Sequence, residues 1–469
     1  MRGALTGGDG FRKITYRLTL IEKSLEKLMK GDEGEMFKFF KKSMPILSIL
    51  LVVLLVACQP KAPSTSISGS DKSNSGKKTL TVWHIETGAA ETALKNAAKR
   101  FEEKHPGVTV KLVRYENDPY KTKLSVAMGA GNPPDVFHSW GGGWLKNFVD
   151  AGQVVDITNK IDKDNYLEAA ITPATYDGKI YGVPVGMDIV PVWYNKEIFS
   201  KYNLKEPQTY DEFLEIVKTL KSKGIIPLAL ANKTKWTGSF YMMYLAERIG
   251  GKDLFKEAFE RTGRGFDDEA YVQAAKEIQK LVKMGAFPEG VNGLNYDTGQ
   301  SRQLMYTGKA AMTIDGTWFL GTIRREMPEF EKKLGFFMFP VIEGGKGTNK
   351  DIVGGVSPVY SVSAKSPNKD LAVELIKELA SKETAQEMAN NDGVISAIKG
   401  VKYEDDYIKK INDVLRNAEF MQTYYDQTLP TEVATEHLDT TQALFGLSIT
   451  PEEAVKRVEQ KAKEVIEKK

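Results

Sequence analysis

The chain has 469 residues, one cysteine and a formal net charge of +3, from 65 Lys and Arg against 62 Asp and Glu. Residues 1–57 hold 10 of the basic and 6 of the acidic residues, so the remainder carries 55 positive against 56 negative charges, a net charge of −1. A near-neutral chain lacks the basic surface that nucleic-acid binding needs. A lone cysteine excludes an internal disulfide framework.

Cys58 closes an apolar run from Ile46 to Ala57, and three lysines between positions 38 and 42 precede that run. These are the parts of an export signal, and the run is too short to predict a membrane span. Leu55-Val56-Ala57-Cys58 resembles the lipobox of bacterial lipoproteins, whose cysteine is lipidated and becomes the N-terminus. We interpret residues 36–57 as a lipoprotein signal peptide and Cys58 as the lipidation site. The alternative is an ordinary secretory signal with an incidental cysteine.

Residues 1–35 do not fit this plan, because an export signal begins close to its apolar core. Met36 is the predicted start, and residues 1–35 are interpreted as a mis-assigned extension. Gly31–Glu35 must be encoded by codons that begin with G, as a translated ribosome-binding site would be. Residues 58–78 are predicted to be the lipidated cysteine and a flexible tether, because they are rich in Ser, Lys, Gly and Pro with almost no large apolar residue.

After the tether, strand and helix patterns alternate. Leu80–Trp83 is predicted as a strand, Glu91–His105 as an amphipathic helix, and Val108–Val113 and Pro133–Phe137 as further strands. This alternation predicts a largely parallel sheet covered by helices, and such sheets bind ligands beyond the carboxyl ends of their strands. At those ends lie Trp83, His84, Glu86 and Trp140.

The middle and end of the chain are more helical. Helices are predicted at Tyr210–Lys223, at Glu269–Met284, from Ser366-Pro367 to Leu379, and after the capping box Thr450-Pro451-Glu452-Glu453. About 390 residues follow the tether, which is too many for one hydrophobic core and suits two lobes.

Several segments carry the motifs of one known family in the same order. They are Trp83–Gly88 with the helix after it; Gly131–Phe137, similar to a GxxPDV strand; Tyr181–Pro184 with Trp193–Lys196, similar to a first crossover between lobes; Gly308–Trp318, similar to a return crossover; and Ser363–Lys369, similar to a third. Together they resemble the family 1 extracellular solute-binding proteins, the maltose-binding-protein-like receptors of ABC sugar importers. The resemblance spans about residues 80 to 400.

The resemblance implies an α/β fold of the two-lobed periplasmic-binding-protein type (type II). Each lobe would be a mostly parallel sheet flanked by helices, with the ligand cleft between the lobes. On this mapping residues 79–190 plus 314–363 form lobe 1, and residues 191–313 plus 364–469 form lobe 2. The implied function is a lipid-anchored receptor at the outer face of the cell membrane, which closes on an oligosaccharide and delivers it to an ABC permease.

The chemistry of a sugar suggests which side chains bind it. A pyranose has C–H faces that pack on aromatic rings and hydroxyls that need hydrogen-bond partners. The resemblance assigns Trp318 as a stacking aromatic and Asp188 as an acidic ligand contact, and an acid among apolar neighbours is costly to bury unpaired. Trp140, which abuts three glycines, and Trp236 are predicted as further platforms. Packing in the core is the alternative for each tryptophan.

Four more residues complete the predicted site. Glu86 and Asp315 are polar groups at expected cleft edges, Glu116 can reach a ligand from a loop, and Gly355 can offer a backbone N–H. Surface, capping or turn roles are the alternatives. The segments Tyr424-Tyr425-Asp426 and around His437 match the family least, so discriminating contacts are expected there.

No metal site or cofactor is predicted, because His84 and His138 are far apart in sequence and have no accompanying Cys or HExxH motif.

Two other functions stay open from the sequence. Asp188, Asp315 and Glu86 could in principle supply the two carboxyls of a glycosidase, which stand roughly 5 to 9.5 Å apart. The same fold could also hold a peptide, a polyamine or a metal complex. No motif identifies a catalytic pair, so the chain is predicted to be a binding protein and not an enzyme. Its predicted partners are the sugar, the permease subunits and the membrane through Cys58, with no nucleic acid, and it is predicted to be a monomer.

Overall fold

The computed structural model describes residues 77–392 and 394–467. The predicted extension, the signal peptide, Cys58 and the tether up to residue 76 lie outside the described residues. Within the described ranges, no helix combines the length and apolar character that crossing a membrane requires.

The strands and helices alternate along the chain. The strands are β1 (Lys78–His84), β2 (Val108–Arg114), β3 (Val136–Ser139), β4 (Thr175–Tyr176), β5 (Lys179–Ile180), β6 (Val183–Pro184), β7 (Gly186–Ile189), β8 (Val192–Asn195), β9 (Ile226–Leu228), β10 (Ala310–Ile314), β11 (Leu334–Phe337), β12 (Asp351–Val356), β13 (Val359–Val362), β14 (Ile395–Ser396) and β15 (Phe420–Thr423). The helices are α1 (Gly88–Lys104), α2 (Asn117–Gly129), α3 (Gly142–Asp150), α4 (Glu168–Ile171), α5 (Lys196–Lys201), α6 (Tyr210–Ser222), α7 (Trp236–Gly250), α8 (Asp253–Glu260), α9 (Glu269–Lys283), α10 (Gln300–Tyr306), α11 (Trp318–Glu326), α12 (Lys369–Leu379), α13 (Lys382–Asp392), α14 (Asp406–Asn417), α15 (Tyr425–Thr428), α16 (Thr431–Phe445) and α17 (Pro451–Val465).

The first sheet has the strand order β2-β1-β3-β13-β6. β1 runs parallel to β2 and β3, whereas β13 is antiparallel to β3 and β6. The sheet is therefore mixed, and only its first three strands follow the predicted parallel pattern. The chain enters β13 from β12 of another sheet and not through a helical crossover from β3.

Two further sheets have the orders β11-β8-β10-β9 and β14-β7-β12-β15. β6, β7 and β8 follow one another closely but belong to three different sheets, so the chain passes through all of them between Val183 and Asn195. β12 and β13 pass from the third sheet back to the first. The third sheet thus links the other two, where the predicted first crossover lies.

Helix α1 fixes the carboxyl end of β1 and so the start of the site. Ala90, Leu94, Ala97 and Phe101 fall on one face of this helix and are buried. They pack in one apolar cluster with Leu80 of β1. Burying each large side chain contributes about 2 kcal/mol.

Two helix starts test the predicted caps. Thr450 Oγ1 accepts the Glu453 N–H at 3.1 Å, and α17 begins at Pro451, in agreement with the predicted start. Helix α12 begins at Lys369 and not at the predicted Ser366-Pro367. The Ser366 hydroxyl donates to Asp135 Oδ1 at 2.6 Å and accepts the Asn368 N–H at 3.1 Å, which keeps this serine in a turn before the helix.

Two segments pack differently from the predicted lobe boundaries. β11, assigned to lobe 1, pairs with β8 in the second sheet. Helices α12 and α13, assigned to lobe 2, pack against α1 beside the first sheet, because the apolar face of α12 joins the cluster that contains Leu80. Sequence position alone could not show these contacts.

Candidate ligand-binding cleft

A cavity of about 330 Å³ lies where the ends of β1 and β3, strand β7 and the starts of α7 and α11 meet. Six of the eight residues predicted for the site line it. They are Trp318, Asp188, Trp140, Trp236, Glu86 and Glu116. Asp315 and Gly355 do not line the cavity. A volume near 300 Å³ is at the small end of the range for ligand pockets.

One side of the cavity is an aromatic wall formed by Trp236, Phe240, Tyr296, Trp318 and Tyr424. The ring of Trp236 lies 4.6 Å from that of Tyr296 and 6.0 Å from that of Trp318, and both contacts are edge-to-face. The Trp318 and Tyr424 rings are 6.3 Å apart. Edge-to-face packing holds each ring in a fixed orientation, so the wall offers a firm apolar surface to a ligand.

Trp318 is also held by a hydrogen bond. Its Nε1 donates to the Tyr296 hydroxyl at 2.8 Å, and that hydroxyl donates in turn to Asp315 at 3.1 Å. Asp315 is 3% exposed and also accepts the Gly316 N–H at 2.9 Å. Burial raises the pKa of Asp315 to about 7, against the hydrogen bond from Tyr296, which lowers it. Asp315 itself does not line the cavity, whereas Tyr296, which donates to it, does.

Gly355 does not lie on the cavity surface either. It pairs with Asp188 in the antiparallel ladder between β12 and β7, so its backbone belongs to the third sheet. A Cβ added at Gly355 would overlap the ring of Tyr424, and one added at Gly316 would overlap the ring of Trp318. The two glycines therefore provide the space that two rings of the aromatic wall occupy.

Asp188 reaches the cavity from β7, as predicted, and is 4% exposed. Its Oδ1 accepts the Thr317 hydroxyl at 3.0 Å. Burial raises the pKa of Asp188 to about 7, the Thr317 hydrogen bond lowers it, and the charge of Glu86 raises it further. Near neutral pH this carboxyl can act as a hydrogen-bond donor or acceptor.

Trp140 also lines the cavity and is 6% exposed. Its ring contacts those of Trp144, at 5.2 Å, and His138, at 4.7 Å. Lys121 Nζ lies 4.9 Å from the Trp140 ring centroid, and 3.2 Å from Asp426 Oδ2. Trp140 thus belongs to the core and to the cavity surface at once.

Two predicted acidic residues lie near Trp140 or at the rim. Glu86 Oε1 is 3.1 Å from Nδ1 of the buried His138, outside hydrogen-bond geometry. Glu116 is half exposed and pairs with Arg114 at 2.8 Å. Both carboxylates are in reach of a ligand hydroxyl.

Sequence reasoning missed Tyr296, Arg302 and Lys121. Tyr296 lies in the loop between α9 and α10, where no periodic pattern marks it, and Arg302 Nη1 holds the loop by donating to the Tyr296 carbonyl at 3.0 Å. The segment of Tyr424 and Asp426 does line the cavity. His437 does not, because it is buried against Ser239 at 2.6 Å.

Two polar atoms of the aromatic wall are buried without a partner. Trp236 Nε1 and the Tyr424 hydroxyl have no hydrogen-bond partner among the described residues. Buried polar groups in folded proteins almost always have one. These atoms are therefore candidates to bond hydroxyls of a ligand.

The fold and the cleft define an extracellular solute receptor. The family model of the bacterial extracellular solute-binding proteins matches residues 86–386, and the chain belongs to this family. This confirms the predicted family and places the protein on the extracytoplasmic side.

Relatives extend over most of the chain. The multiple sugar-binding protein of Streptococcus mutans is 27% identical over 374 residues, 78% of this chain and 84% of that protein. The galactooligosaccharide-binding protein of Bacillus subtilis is 28% identical over 369 residues, 77% of this chain and 81% of that protein.

Solved structures of similar proteins share the fold of this chain. One from work on xylan utilization by Caldanaerobius polysaccharolyticus is 34% identical, with a TM-score of 0.76, and the match covers 82% of this chain and 99% of that one. A chitin oligosaccharide binding protein is 27% identical, also with a TM-score of 0.76, covering 83% and 99%. The predicted type II fold is confirmed.

Proposed function

We propose that this protein captures an oligosaccharide outside the cell and delivers it intact to the permease of an ABC importer. The aromatic wall carries the proposal, because it lines the same cavity as the carboxyl groups of Asp188 and Glu86. Flat apolar rings suit the C–H faces of pyranoses, and carboxyl oxygens suit their hydroxyls. The several rings favour more than one sugar unit.

The relatives support this reading. Similar proteins carry names that state sugar binding, and they include receptors for galactooligosaccharides and chitin oligosaccharides. The structure with 34% identity comes from a study of xylan utilization. Short xylo-, chito- and galactooligosaccharides are therefore the first ligands to test.

Binding would act through closure. Lys121 of α2 bonds Asp426 of α15, and Arg325 of α11 donates to the Thr87 hydroxyl beside α1 at 2.6 Å. These contacts join segments that flank the cavity, so they can hold a closed form. A ligand shifts the equilibrium toward that form by its differential affinity, and a permease would recognise it.

The receptor performs no covalent chemistry in this proposal. Asp315 does not line the cavity, and its carboxyl group accepts a hydrogen bond from Tyr296. Of the three carboxyl groups considered for a glycosidase, Asp188 and Glu86 remain. In this proposal both bind sugar hydroxyls, and no covalent bond of the sugar is broken. The family consists of binding proteins.

We further propose lipid anchoring at Cys58, a monomeric receptor and a two-lobed division in which β11 joins lobe 2 and helices α12 and α13 join lobe 1. Globomycin-sensitive processing and a diacylglyceryl mass on the N-terminal peptide of membrane-extracted protein would support the anchor. A processed N-terminus other than Cys58 would contradict it.

The function is tested by titrating the fragment from Gln59 with xylotriose, chitotriose and galactotriose while recording tryptophan fluorescence, followed by chromatography of each sugar. A saturable change with the sugar recovered intact supports the proposal. Shortened sugars would indicate a glycosidase. An absence of response to all sugars, including a wider neutral panel, would contradict sugar capture.

A further inference from the structure

Among the described residues, four basic side chains line the cavity, and each lies in an ion pair. They are Arg114, Lys121, Arg302 and Arg325. Arg114 lies 2.8 Å from Glu116, and Lys121 lies 3.2 Å from Asp426. Both pairs are made within the cavity lining itself.

Arg302 and Arg325 share one carboxylate. Arg302 Nε and Nη2 each contact Glu326 at 3.0 Å, a two-point pairing that fixes the guanidinium plane. Arg325 reaches the same carboxylate at 3.3 Å. Arg302 is 8% exposed, so its charge is committed to Glu326 and to the Tyr296 loop.

Acidic groups outnumber these cations in the described lining. Six carboxyl groups line the cavity against four basic groups, and three of the six serve the ion pairs just described. The others are Glu86, Asp188 and Asp297. None of these three lies in an ion pair with Arg or Lys among the described residues; Glu86 stands beside His138 and Asp188 beside Thr317.

An acidic sugar would meet two penalties here. Its carboxylate would share a partly desolvated cavity with Glu86, which has no Arg or Lys partner among the described residues, and like charges repel there. To gain a cation it would have to break one ion pair, which would leave a protein carboxylate unpaired. A neutral hydroxyl meets neither penalty and bonds to carboxyl oxygens directly.

From this arrangement we infer that the cleft takes oligosaccharides without acidic groups and rejects those that bear uronic acid, sulfate or phosphate. The inference rests on the proposed function and narrows its substrate class. Rejection arises from charge pairing within the lining and not from the size of the cavity.

The test uses matched sugars with one backbone. Calorimetry would compare xylotriose with xylotriose bearing one 4-O-methylglucuronic acid, and galactotriose with trigalacturonic acid, at low and high salt. We expect each neutral ligand that binds to exceed its acidic partner at least tenfold, with a smaller ratio at high salt. Equal or tighter binding of an acidic partner would overturn the inference while the proposed function stands. If no sugar binds, the proposed function fails and the inference with it.

A variant of the cavity lining separates the effect of charge from the effect of the size of the acidic sugar. Asp426→Asn removes the partner of Lys121 and gives the cavity an unpaired cation, so we expect the preference for the neutral sugar to fall by at least threefold. Glu419→Gln removes the partner of Lys350, a pair exposed outside the cavity, and is expected to leave the preference unchanged. Glu116→Gln, which releases Arg114, provides a second variant if Asp426→Asn melts at a lower temperature. An unaltered preference in both cleft variants would overturn the role of charge.

Discussion

The indole N–H of Trp318 and the hydroxyl of Tyr296 are joined by a hydrogen bond of 2.8 Å. This bond ties the first residue of α11 to the loop before α10, and Asp315 accepts from the same hydroxyl. The two rings therefore belong to one fixed unit. A ring that is already oriented loses little entropy when a ligand binds.

Tyr296→Phe is expected to weaken ligand binding about tenfold, or about 1.4 kcal/mol. It keeps the ring but leaves Trp318 Nε1 without its acceptor and removes the Tyr296 hydroxyl as a donor to Asp315, which keeps the Gly316 N–H. Calorimetry with the best ligand measures the effect. Tyr202→Phe, outside the cavity, is the control. Unchanged affinity would show that the ring alone is sufficient.

Trp318→Ala should weaken binding by about 1 to 3 kcal/mol, because it removes a large ring from the aromatic wall. Fluorescence titration gives the affinity, and circular dichroism checks that the fold is kept. Trp83→Ala is a matched control, since Trp83 packs on Tyr115 at 5.0 Å and does not line the cavity. If both variants lose affinity equally, the loss is not specific to the wall.

Gly316→Ala and Gly355→Ala are expected to reduce affinity by more than tenfold each. The new methyl groups would displace the rings of Trp318 and Tyr424 from the cavity surface, and overpacking of this kind also lowers the free energy of unfolding by about 1 to 3 kcal/mol. Gly293→Ala is the control, because an added Cβ there meets open space. Wild-type affinity in both cleft variants would mean that the rings can move aside without loss.

The contribution of Asp188 to the free energy of unfolding is expected to fall as the pH rises from about 4 to about 7. The pKa of Asp188 is raised by burial from 3.8 to about 7, so the folded state keeps a proton that the unfolded chain has lost. This contribution is fully present below pH 4 and disappears as the pH passes 7. Burial also raises the pKa of Asp315 to about 7, so its contribution to stability changes with pH in the same direction.

Thermal unfolding of wild type and Asp188→Asn between pH 4 and 8 measures this contribution. The Tm of the variant relative to that of wild type should rise as the pH increases over this range. Glu343→Gln, at an exposed loop position, should follow the wild-type curve. Parallel curves for wild type and Asp188→Asn would refute the assignment.

The order of motifs predicted the family, and local patterns predicted the elements. The apolar face of Leu94, Ala97 and Phe101 places α1 on the first sheet, as its periodicity indicated. Trp318 and Asp188 come to the cavity because each follows a strand or crossover that the motifs identify. These features depend on residues close together in the sequence, so a single chain suffices to predict them.

Tertiary packing decided the rest. Asp315 and Gly355 were predicted for the site, yet neither lines the cavity: Asp315 accepts from Tyr296, and Gly355 pairs with Asp188 between β12 and β7. The pairing of Lys121 with Asp426 joins residues 305 positions apart. The sequence by itself determined the class of fold and the strands that bear the site, because hydrophobic periodicity is local. Exposure, ring orientation and charge pairing depend on distances of a few ångströms between remote segments, so only the folded structure decided them.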